Sequence, residues 1–290
     1  MNKMTGAVLP LSLVILAILT IMALTLTQKS AGFLDQAFAQ KNQWQAELAI
    51  HNAEQRTLLT LIAGNYSPSL IKLGGTEISI YGKSYELSND VEIKVQDQAG
   101  LINLLHASYK PLVKLLGNLG YARQANSIAT EALAWQSMQS TIPVKLPLTA
   151  RKLPFRAQDE LLELPSMKPE YFNGNQPNTL AIKDYLQVAG PGWFNFGSMP
   201  LPVLTAVLSL NKEEIKTIED LRARNRWIEL EPLLRQYGMY GEGLELSPST
   251  SFIVNYQYQG YRARGSYKIL AASFYLYEKQ IWNFPDQDRF

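Results

Sequence analysis

An uncharged apolar run near the N-terminus constrains the fold more than any other feature of the sequence. No residue from Ala7 to Gln28 is charged, and a helix of this length crosses a hydrocarbon core of about 30 Å. Residues 7–28 are therefore predicted to span a membrane. Lys3 precedes the run and Lys29 follows it, so the positive-inside rule orients the segment only weakly, and we expect the short N-terminus in the cytoplasm.

Three kinds of N-terminal segment contain an apolar run, and they differ in where the chain is cleaved. Ala37, Phe38 and Ala39 have the small-x-small form of a secretory signal cleavage site. The apolar run exceeds the roughly 7 to 15 residues of a signal core, and this site lies beyond its end, which disfavours a secretory signal. Cleavage after Gly6 would leave Ala7 at the start of a helix that keeps its membrane segment. The third kind is an uncleaved anchor.

The helical pattern continues beyond the apolar run. Apolar residues recur mostly at helical spacings through residues 30–61, and no proline interrupts them before Pro68. Charged residues, among them Glu54, are predicted to occupy the wetter face. The prediction is one continuous N-terminal helix of about fifty residues. Pro10 would be its fourth residue after cleavage following Gly6, where a missing N–H removes no intrahelical bond.

The rest of the chain is predicted to form a sheet interrupted by helices. Residues 76–95 are predicted to form two strands, TEISIYG and VEIKV, joined by a turn in KSYELSND. Prolines break residues 107–243 into short helical stretches, and strand alternation returns after Gly243, with Phe252, Val254, Tyr256 and Tyr258 on one face. We therefore predict an α/β (α+β) domain of residues 29–106 and 244–290, with an all-helical domain of residues 107–243 inserted into it.

Composition and motifs exclude several classes of function. The sequence has no cysteine, which excludes thiolate metal sites and cysteine nucleophiles. Its two histidines, His51 and His106, have no ligand partner nearby in sequence, and no phosphate-binding loop, nucleophile elbow or dinucleotide fingerprint occurs. We therefore expect neither an enzyme nor a bound cofactor.

A pair of helices predicted over residues 198–210 and 212–224 resembles a helix-hairpin-helix unit, which can bind the DNA backbone. The arginines at 222, 224 and 226 are mixed with acidic residues, so they are predicted to lie on a solvated face. The net charge of +2 also gives no electrostatic footprint for nucleic acid. Nucleic acid is therefore not an expected partner.

Four segments together resemble a known family. Lys3, Gly6 and the residues Ala7-Val8-Leu9 match a short basic leader that ends in glycine before an aliphatic helix. Residues 97–104 (DQAGLINL) match the pattern D-x-x-G-x-I/F-N-L, and residues 153–167 (LPFRAQDELLELPSM) and 194–207 (FNFGSMPLPVLTAV) echo two further motifs. Over nearly the whole chain the sequence resembles the K-type minor pseudopilins of bacterial type II secretion systems.

The resemblance implies a pilin-like fold in which the long N-terminal helix packs on the antiparallel sheet. It implies that residues 1–6 are a leader removed after Gly6 by a prepilin peptidase, with Ala7 as the N-methylated mature N-terminus. Leu11 then stands at the fifth mature position, where most pilins carry a glutamate thought to pair with the N-terminal amine of the subunit above. K-type proteins also lack this glutamate and are placed at the filament tip.

This sequence departs from the family pattern in a stretch that is associated with calcium binding. Members of the family can bind this ion and usually carry a D-W-x-D-x-D stretch, where residues 133–139 here read LAWQSMQ. Calcium takes six to eight oxygen ligands, mostly from carboxylates. We therefore predict no calcium site.

The resemblance implies a tip subunit that initiates assembly of the secretion pseudopilus with other minor pseudopilins, and that contacts the secretin or an exported protein. Its bulk would be periplasmic, held by a single pass in the bacterial inner membrane. Candidate contacts with partner helices are Leu13, Leu16 and Ile18 in the membrane, and Phe33, Phe38 and Trp44 beyond it. Two alternatives stay open, a type IV pilus minor pilin and a membrane-anchored periplasmic protein of another class.

Overall fold

The structure is a computed structural model, and its N-terminal element is a single long helix, α1, over Val8–Ala63. The chain divides into two compact units, residues 1–49 and residues 50–290. The residues described are 8–64, 66–87, 90–136, 146, 152–174, 177–188, 190–208, 210–236, 244–270 and 274–286.

In the first unit, α1 is long and apolar enough from Pro10 onward to cross a membrane. Three threonine hydroxyls in the apolar stretch are satisfied within the helix. The hydroxyls of Thr20, Thr25 and Thr27 donate to backbone carbonyls three or four residues earlier, at 2.8 to 2.9 Å. Internal pairing of this kind is what a low-dielectric surrounding demands of every polar group.

In the second unit, the last turns of α1 bury one stripe of side chains. The residues of this stripe are spaced alternately three positions and one position apart, as expected for one face of an α-helix. Its members are Ile50, Ala53, Glu54, Thr57, Leu58 and Leu61. The predicted wetter position of Glu54 is therefore wrong, because this carboxylate lies on the buried face.

The sheet contains five strands, β3 (Tyr81–Leu87), β4 (Val91–Asp97), β9 (Ser251–Tyr258), β10 (Tyr261–Ile269) and β11 (Tyr277–Asn283). They are antiparallel and lie in the order β11-β10-β9-β4-β3. On the predicted face of β9, Phe252, Val254 and Tyr256 are fully buried and Tyr258 is half-buried. Because Tyr267 of β10 donates to the α1 residue Glu54, this face of the sheet lies against α1.

A separate hairpin precedes the sheet. It pairs β1 (Leu70–Leu73) with β2 (Thr76–Ser79) around Gly74 and Gly75, whose φ values of +58° and +88° suit a two-residue turn. The predicted strand TEISIYG therefore pairs with a strand that the sequence reading missed. The predicted turn KSYELSND is also wrong in part, since residues 83–87 belong to β3.

In sequence, a helical region lies between strands β4 and β9 of the sheet. We define the helical region as Tyr109 to Gln236. Its helices share one apolar core with the segments that join them. The helices are α2 (Tyr109–Asn118), α3 (Ala125–Gln136), α4 (Pro169–Phe172), α5 (Leu201–Leu208), α6 (Lys212–Ala223) and α7 (Trp227–Gln236).

Two short parallel pairs connect this region to its flanks. They are β5 (Ile102–Asn103) with β6 (Leu186–Gln187), and β7 (Phe194–Asn195) with β8 (Leu244–Glu245). The division into compact units does not separate residues 107–243 from the sheet, so the predicted domain boundaries stay a prediction.

Candidate functional site

The surface of α1 in the first unit carries the predicted contact residues. The side chains of Leu13, Leu16, Ile18, Phe33, Phe38 and Trp44 are each more than half exposed. Eleven residues are close to three helical turns, so Phe33 and Trp44 lie within about 20° of each other around the axis. Phe38 is turned by roughly 140° from Phe33 and lies beside Leu34. The three predicted contacts therefore occupy two faces of the helix.

Leu11 lies on the same stripe as Ile18, since seven residues make almost two complete turns. Its side chain is 62% exposed. The first carboxylate of the chain comes at Asp35, beyond the apolar segment. A subunit packed against this stripe would therefore meet no carboxylate.

The buried motif residue Asp97 ends β4 and is fully enclosed. Its carboxylate accepts hydrogen bonds from the amide of Asn195 at 2.9 Å, from the hydroxyl of Ser198 at 2.8 Å and from the backbone N–H of Ala99 at 3.0 Å. The hydroxyl and the backbone N–H of Ser249 also donate to it. We call these residues the Asp97 junction, which joins three segments distant in sequence.

Burial raises the pKa of Asp97, and the hydrogen bonds from Ser249, Asn195, Ala99 and Ser198 act in the opposite direction. All of these donors are neutral. The junction therefore solvates the side chain with protein dipoles and has no cation among its donors.

Two motif glycines allow the backbones at this junction to approach closely. A Cβ on Gly100 would lie 2.1 Å from the carbonyl oxygen of Ser198, and one on Gly197 would lie 2.3 Å from that of Pro68. Asn195 bridges the same segments, because its amide also donates to the Pro68 carbonyl at 3.0 Å. The motifs at 97–104 and 194–207 thus pack directly on each other.

The motif over residues 153–167 serves the core of the helical region. Phe155 stacks on Trp135 with ring centroids 5.6 Å apart. Leu161 and Leu164 are buried in the same core. Near the end of the motif, Ser166 donates through its backbone N–H and its hydroxyl to the carboxylate of Glu131, at 2.8 and 2.6 Å. The contacts of this motif are accordingly structural.

Arg224 and Arg226 are exposed, as the predicted solvated face requires, but the prediction is wrong for Arg222. This residue is only 4% exposed, its guanidinium lies 4.3 Å from the ring centre of Tyr81 on β3, and Nη2 donates to the carbonyl of Gly197 at 3.0 Å. Burial lowers the pKa of Arg222 to about 10. The aromatic ring of a sheet strand therefore fixes α6 through a cation–π contact, a role that charge patterning did not indicate.

A second buried carboxylate belongs to Glu54 of α1. Its Oε1 accepts from the hydroxyl of Tyr267 at 2.8 Å and lies 2.6 Å from Nζ of Lys279 on the edge strand β11. We call Glu54 with Lys279 the Glu54 ion pair. His51 lies one turn away, with Nδ1 3.4 Å from the other carboxylate oxygen, Oε2. This arrangement ties α1 to the edge of the sheet and gives His51 a partner that sequence reasoning missed.

Comparison with solved structures gives a likeness over most of the chain. A chain in the crystal structure of the GspK-GspI-GspJ complex from the type 2 secretion system of enterotoxigenic Escherichia coli superposes with a TM-score of 0.55, covering 87% of this chain and 100% of that chain. The chain has a pilin-like α+β fold. The two sequences are 11% identical, so the likeness concerns the fold. Comparison with protein family models and with curated proteins finds no match.

This likeness confirms the predicted fold class, and at the level of the fold it agrees with the pseudopilin resemblance of the motifs. Beyond the leader, the motifs that carried the resemblance supply the Asp97 junction and part of the core of the helical region. They therefore identify an architecture, whereas the exposed apolar face of α1 is the candidate for function.

Two predictions concern residues of the N-terminus and of the calcium motif. Gly6 and Ala7 lie outside the described residues, as do residues 137–139 of the motif. Within the ranges that the structure describes, no group of three or more histidines or carboxylates could hold a metal ion. Both the cleavage site and the lack of a calcium site stay predictions.

Proposed function

We propose that this chain is a minor pseudopilin of a bacterial type II secretion system, held in the inner membrane by a single pass of α1. The carrying observation is the long N-terminal helix, apolar enough to span a membrane, in a chain whose fold is that of a chain from the GspK-GspI-GspJ complex. In this proposal the short N-terminus is cytoplasmic and the bulk of the chain periplasmic. Its role is structural, without catalysis.

The proposed partners are other minor pseudopilins, which bind along α1. The similar solved structure is itself a complex of three proteins. Leu11 supports a position at the tip, because a carboxylate in lipid without an amine to pair with is costly. A subunit with no neighbour above it loses nothing by having leucine there. The subunit would initiate pseudopilus assembly, with the helical region turned toward the secretin or an exported protein.

The first experiment measures the mass of the mature N-terminus of membrane-extracted protein, from cells with and without the prepilin peptidase. A peptidase-dependent chain that begins at an N-methylated Ala7 is expected. Gly6→Val should block this processing, because the peptidase requires glycine before the cut. Gly32→Val is the matched control, since a Cβ added at this position meets no atom within 4 Å, and it should be processed normally.

Other outcomes would contradict the proposal. A chain that begins at Gln40 would identify a secretory signal, and an intact Met1 in cells with active peptidase would identify a simple anchor. A deletion strain separates secretion from pilus function. Loss of the type II exported proteins from the medium is expected, and normal export with a lost surface pilus would instead identify a pilus minor pilin.

A further inference from the structure

A hollow lies on the surface of α1 beyond the apolar segment, within the first unit. Its lining residues are Ala37, Gln40, Lys41, Trp44, Gln45 and Leu48. Four residues of one helix, at successive spacings of three, one and three positions, enclose a hole that a side chain of a facing helix can fill. The lining forms two such holes in succession, which begin at positions 37 and 41. The hollow therefore has the shape that receives side chains of a second helix.

Apolar side chains border the hollow along one line of the helix. They are Phe33, Ala37, Trp44 and Leu48. Their positions differ by four, seven and four, so they lie within an arc of about 60° around the axis. A repeat of eleven residues stays on one face of a helix with little drift. Phe33, Trp44 and Leu48 are 69%, 66% and 63% exposed, so this line is an apolar face that no described residue covers.

In a membrane-spanning α1, most of this face lies beyond the lipid. The uncharged segment ends at Gln28. A helix rises about 1.5 Å per residue, so Trp44 lies about 24 Å and Leu48 about 30 Å farther along the axis. The headgroup layer on each side of the hydrocarbon core is only about 5 to 8 Å thick. The hollow therefore faces water, where a contiguous apolar face favours a protein partner.

A free cation indicates the chemistry of that partner. Lys41 is exposed and lines the hollow, and it has no ion pair with any carboxylate in the described part of the chain. Around the axis it lies about 40° from Ala37, at the edge of the apolar face. Charges in this flanking position select the partner when two helices pair. The hollow therefore favours a helix that carries an acidic residue beside its apolar side chains.

A second copy of this chain does not meet that requirement. Two copies anchored in one membrane by α1 run parallel, and in a symmetric pair the same positions face each other. Lys41 would then lie opposite the Lys41 of the other copy, and like charges at such positions oppose pairing. A different subunit has no such restriction, and the similar solved structure is a complex of three different proteins.

We propose that the hollow on α1 binds an acidic amphipathic helix of a different membrane-anchored subunit. An apolar side chain of that helix lies over Ala37, and a carboxylate pairs with Lys41. This inference rests on the proposed function, in which other minor pseudopilins bind along α1, and it adds the face of α1 and the charge that select them.

Fluorescence from a dye at the hollow tests the proposal. The sequence has no cysteine, so a Gln40→Cys chain is labelled with bimane at that position alone. The labelled full chain is reconstituted in vesicles of phosphatidylethanolamine and phosphatidylglycerol with each of the other minor pseudopilins of its own secretion system. At least one of them is expected to shift the emission to the blue saturably, because the bound helix removes water from the dye.

Three results of this experiment would overturn the proposal. An emission that is already blue-shifted in vesicles without a partner would mean that lipid covers the hollow. A shift caused by unlabelled copies of the same chain would identify a homodimer. The third contrary result is an emission that no added subunit shifts.

Substitutions at Lys41 test the charge. Lys41→Glu replaces attraction by repulsion and should weaken binding about tenfold, whereas Lys41→Arg should keep the affinity. Lys110→Glu makes the same change at an exposed residue of α2, and as the control it should leave the affinity unchanged. Lysine is then placed at each helical carboxylate of the partner in turn, and one position should restore binding to the Lys41→Glu chain. Restoration at no position would contradict the assigned ion pair.

Substitutions at Ala37 test the face. Ala37→Arg places a long charged side chain in the hollow and should abolish binding. Ala39→Arg is the matched control, since Ala39 is exposed and lies about 160° away around the helix, and it should bind normally. In cells, Ala37→Arg should lower export while the N-terminus is still processed to Ala7. A processed Ala37→Arg chain with normal binding and export would overturn this inference alone, whereas an unprocessed N-terminus in the unsubstituted chain would contradict the proposed function itself.

Discussion

Two fully buried carboxylates, Asp97 and Glu54, hold this fold together in different ways. Asp97 is surrounded by neutral donors from Ala99, Asn195, Ser198 and Ser249. Glu54 instead faces a cation and a phenol through one oxygen, and its second oxygen lies 3.4 Å from Nδ1 of His51. The first carboxylate joins segments on both sides of the helical region, whereas the second joins α1 to the edge strand of the sheet.

The two carboxylates differ in whether water can satisfy their partners when the carboxylate is removed. The donors around Asp97 lie in a buried junction, where water has little access to take the place of a lost acceptor. Lys279, in contrast, is about a third exposed, so its ammonium can turn to solvent if Glu54 is lost. We therefore expect the Asp97 junction to contribute more to folding stability than the Glu54 ion pair.

Asp97→Ala should produce the largest effect. It leaves at least three buried donors without an acceptor, each at a cost of about 1 to 3 kcal/mol, so the free energy of unfolding should fall by about 4 kcal/mol or more. Urea unfolding of the full chain in detergent micelles, followed by tryptophan fluorescence, measures this change.

Asp220→Ala, at an exposed position of α6, is the control for Asp97→Ala and should change stability by less than about 0.5 kcal/mol. A loss below about 1 kcal/mol in Asp97→Ala would mean that the donors find other partners. The comparison between the two buried carboxylates would then fail.

The sequence indicated the importance of Asp97 but not that of Glu54. Asp97 and Asn195 lie in motifs, so their importance was visible in the sequence even though their hydrogen bond to each other was not. Glu54 was assigned to the wetter face, because its partner Lys279 is 225 positions away and no local pattern reveals a long-range ion pair.

Arg222 was missed for the same reason, since the charges beside it in sequence predict a solvated face while the ring that buries it belongs to β3. Periodicity did predict the long helix and the buried face of β9, because both depend on local side-chain spacing. The sequence thus predicts elements and their apolar faces well, and contacts between distant polar residues poorly.

The Glu54 ion pair gives the next largest expected effect. A double-mutant cycle with Glu54→Gln and Lys279→Met isolates the coupling between the two side chains, which should be about 1 to 2 kcal/mol for a pair with one buried partner. Glu54→Gln keeps an acceptor for Tyr267, so the cycle reports mainly the charge. Glu231 and Arg235, an exposed pair one turn apart on α7, should give about 0.3 to 0.5 kcal/mol in the same assay. Equal coupling in the two cycles would show that burial adds nothing at Glu54.

The last predicted effect is absent at neutral pH and develops only at alkaline pH, beside the Glu54 ion pair. Burial, with the nearby charge of Glu54, raises the pKa of Tyr256 well above its usual value of 10. Above about pH 10 the unfolded chain loses this phenolic proton while the folded chain keeps it, so the folded state binds more protons and stability falls as pH rises.

Tyr256→Phe removes one such proton, and the fall of the unfolding free energy with pH should become shallower by up to about 1.4 kcal/mol per pH unit. Urea unfolding at a series of alkaline pH values measures the slope, with Tyr275→Phe as the control because that ring is 71% exposed. An unchanged slope in Tyr256→Phe would mean that water reaches the phenol in the folded chain, and the interface between α1 and the sheet would then be looser than the Asp97 junction.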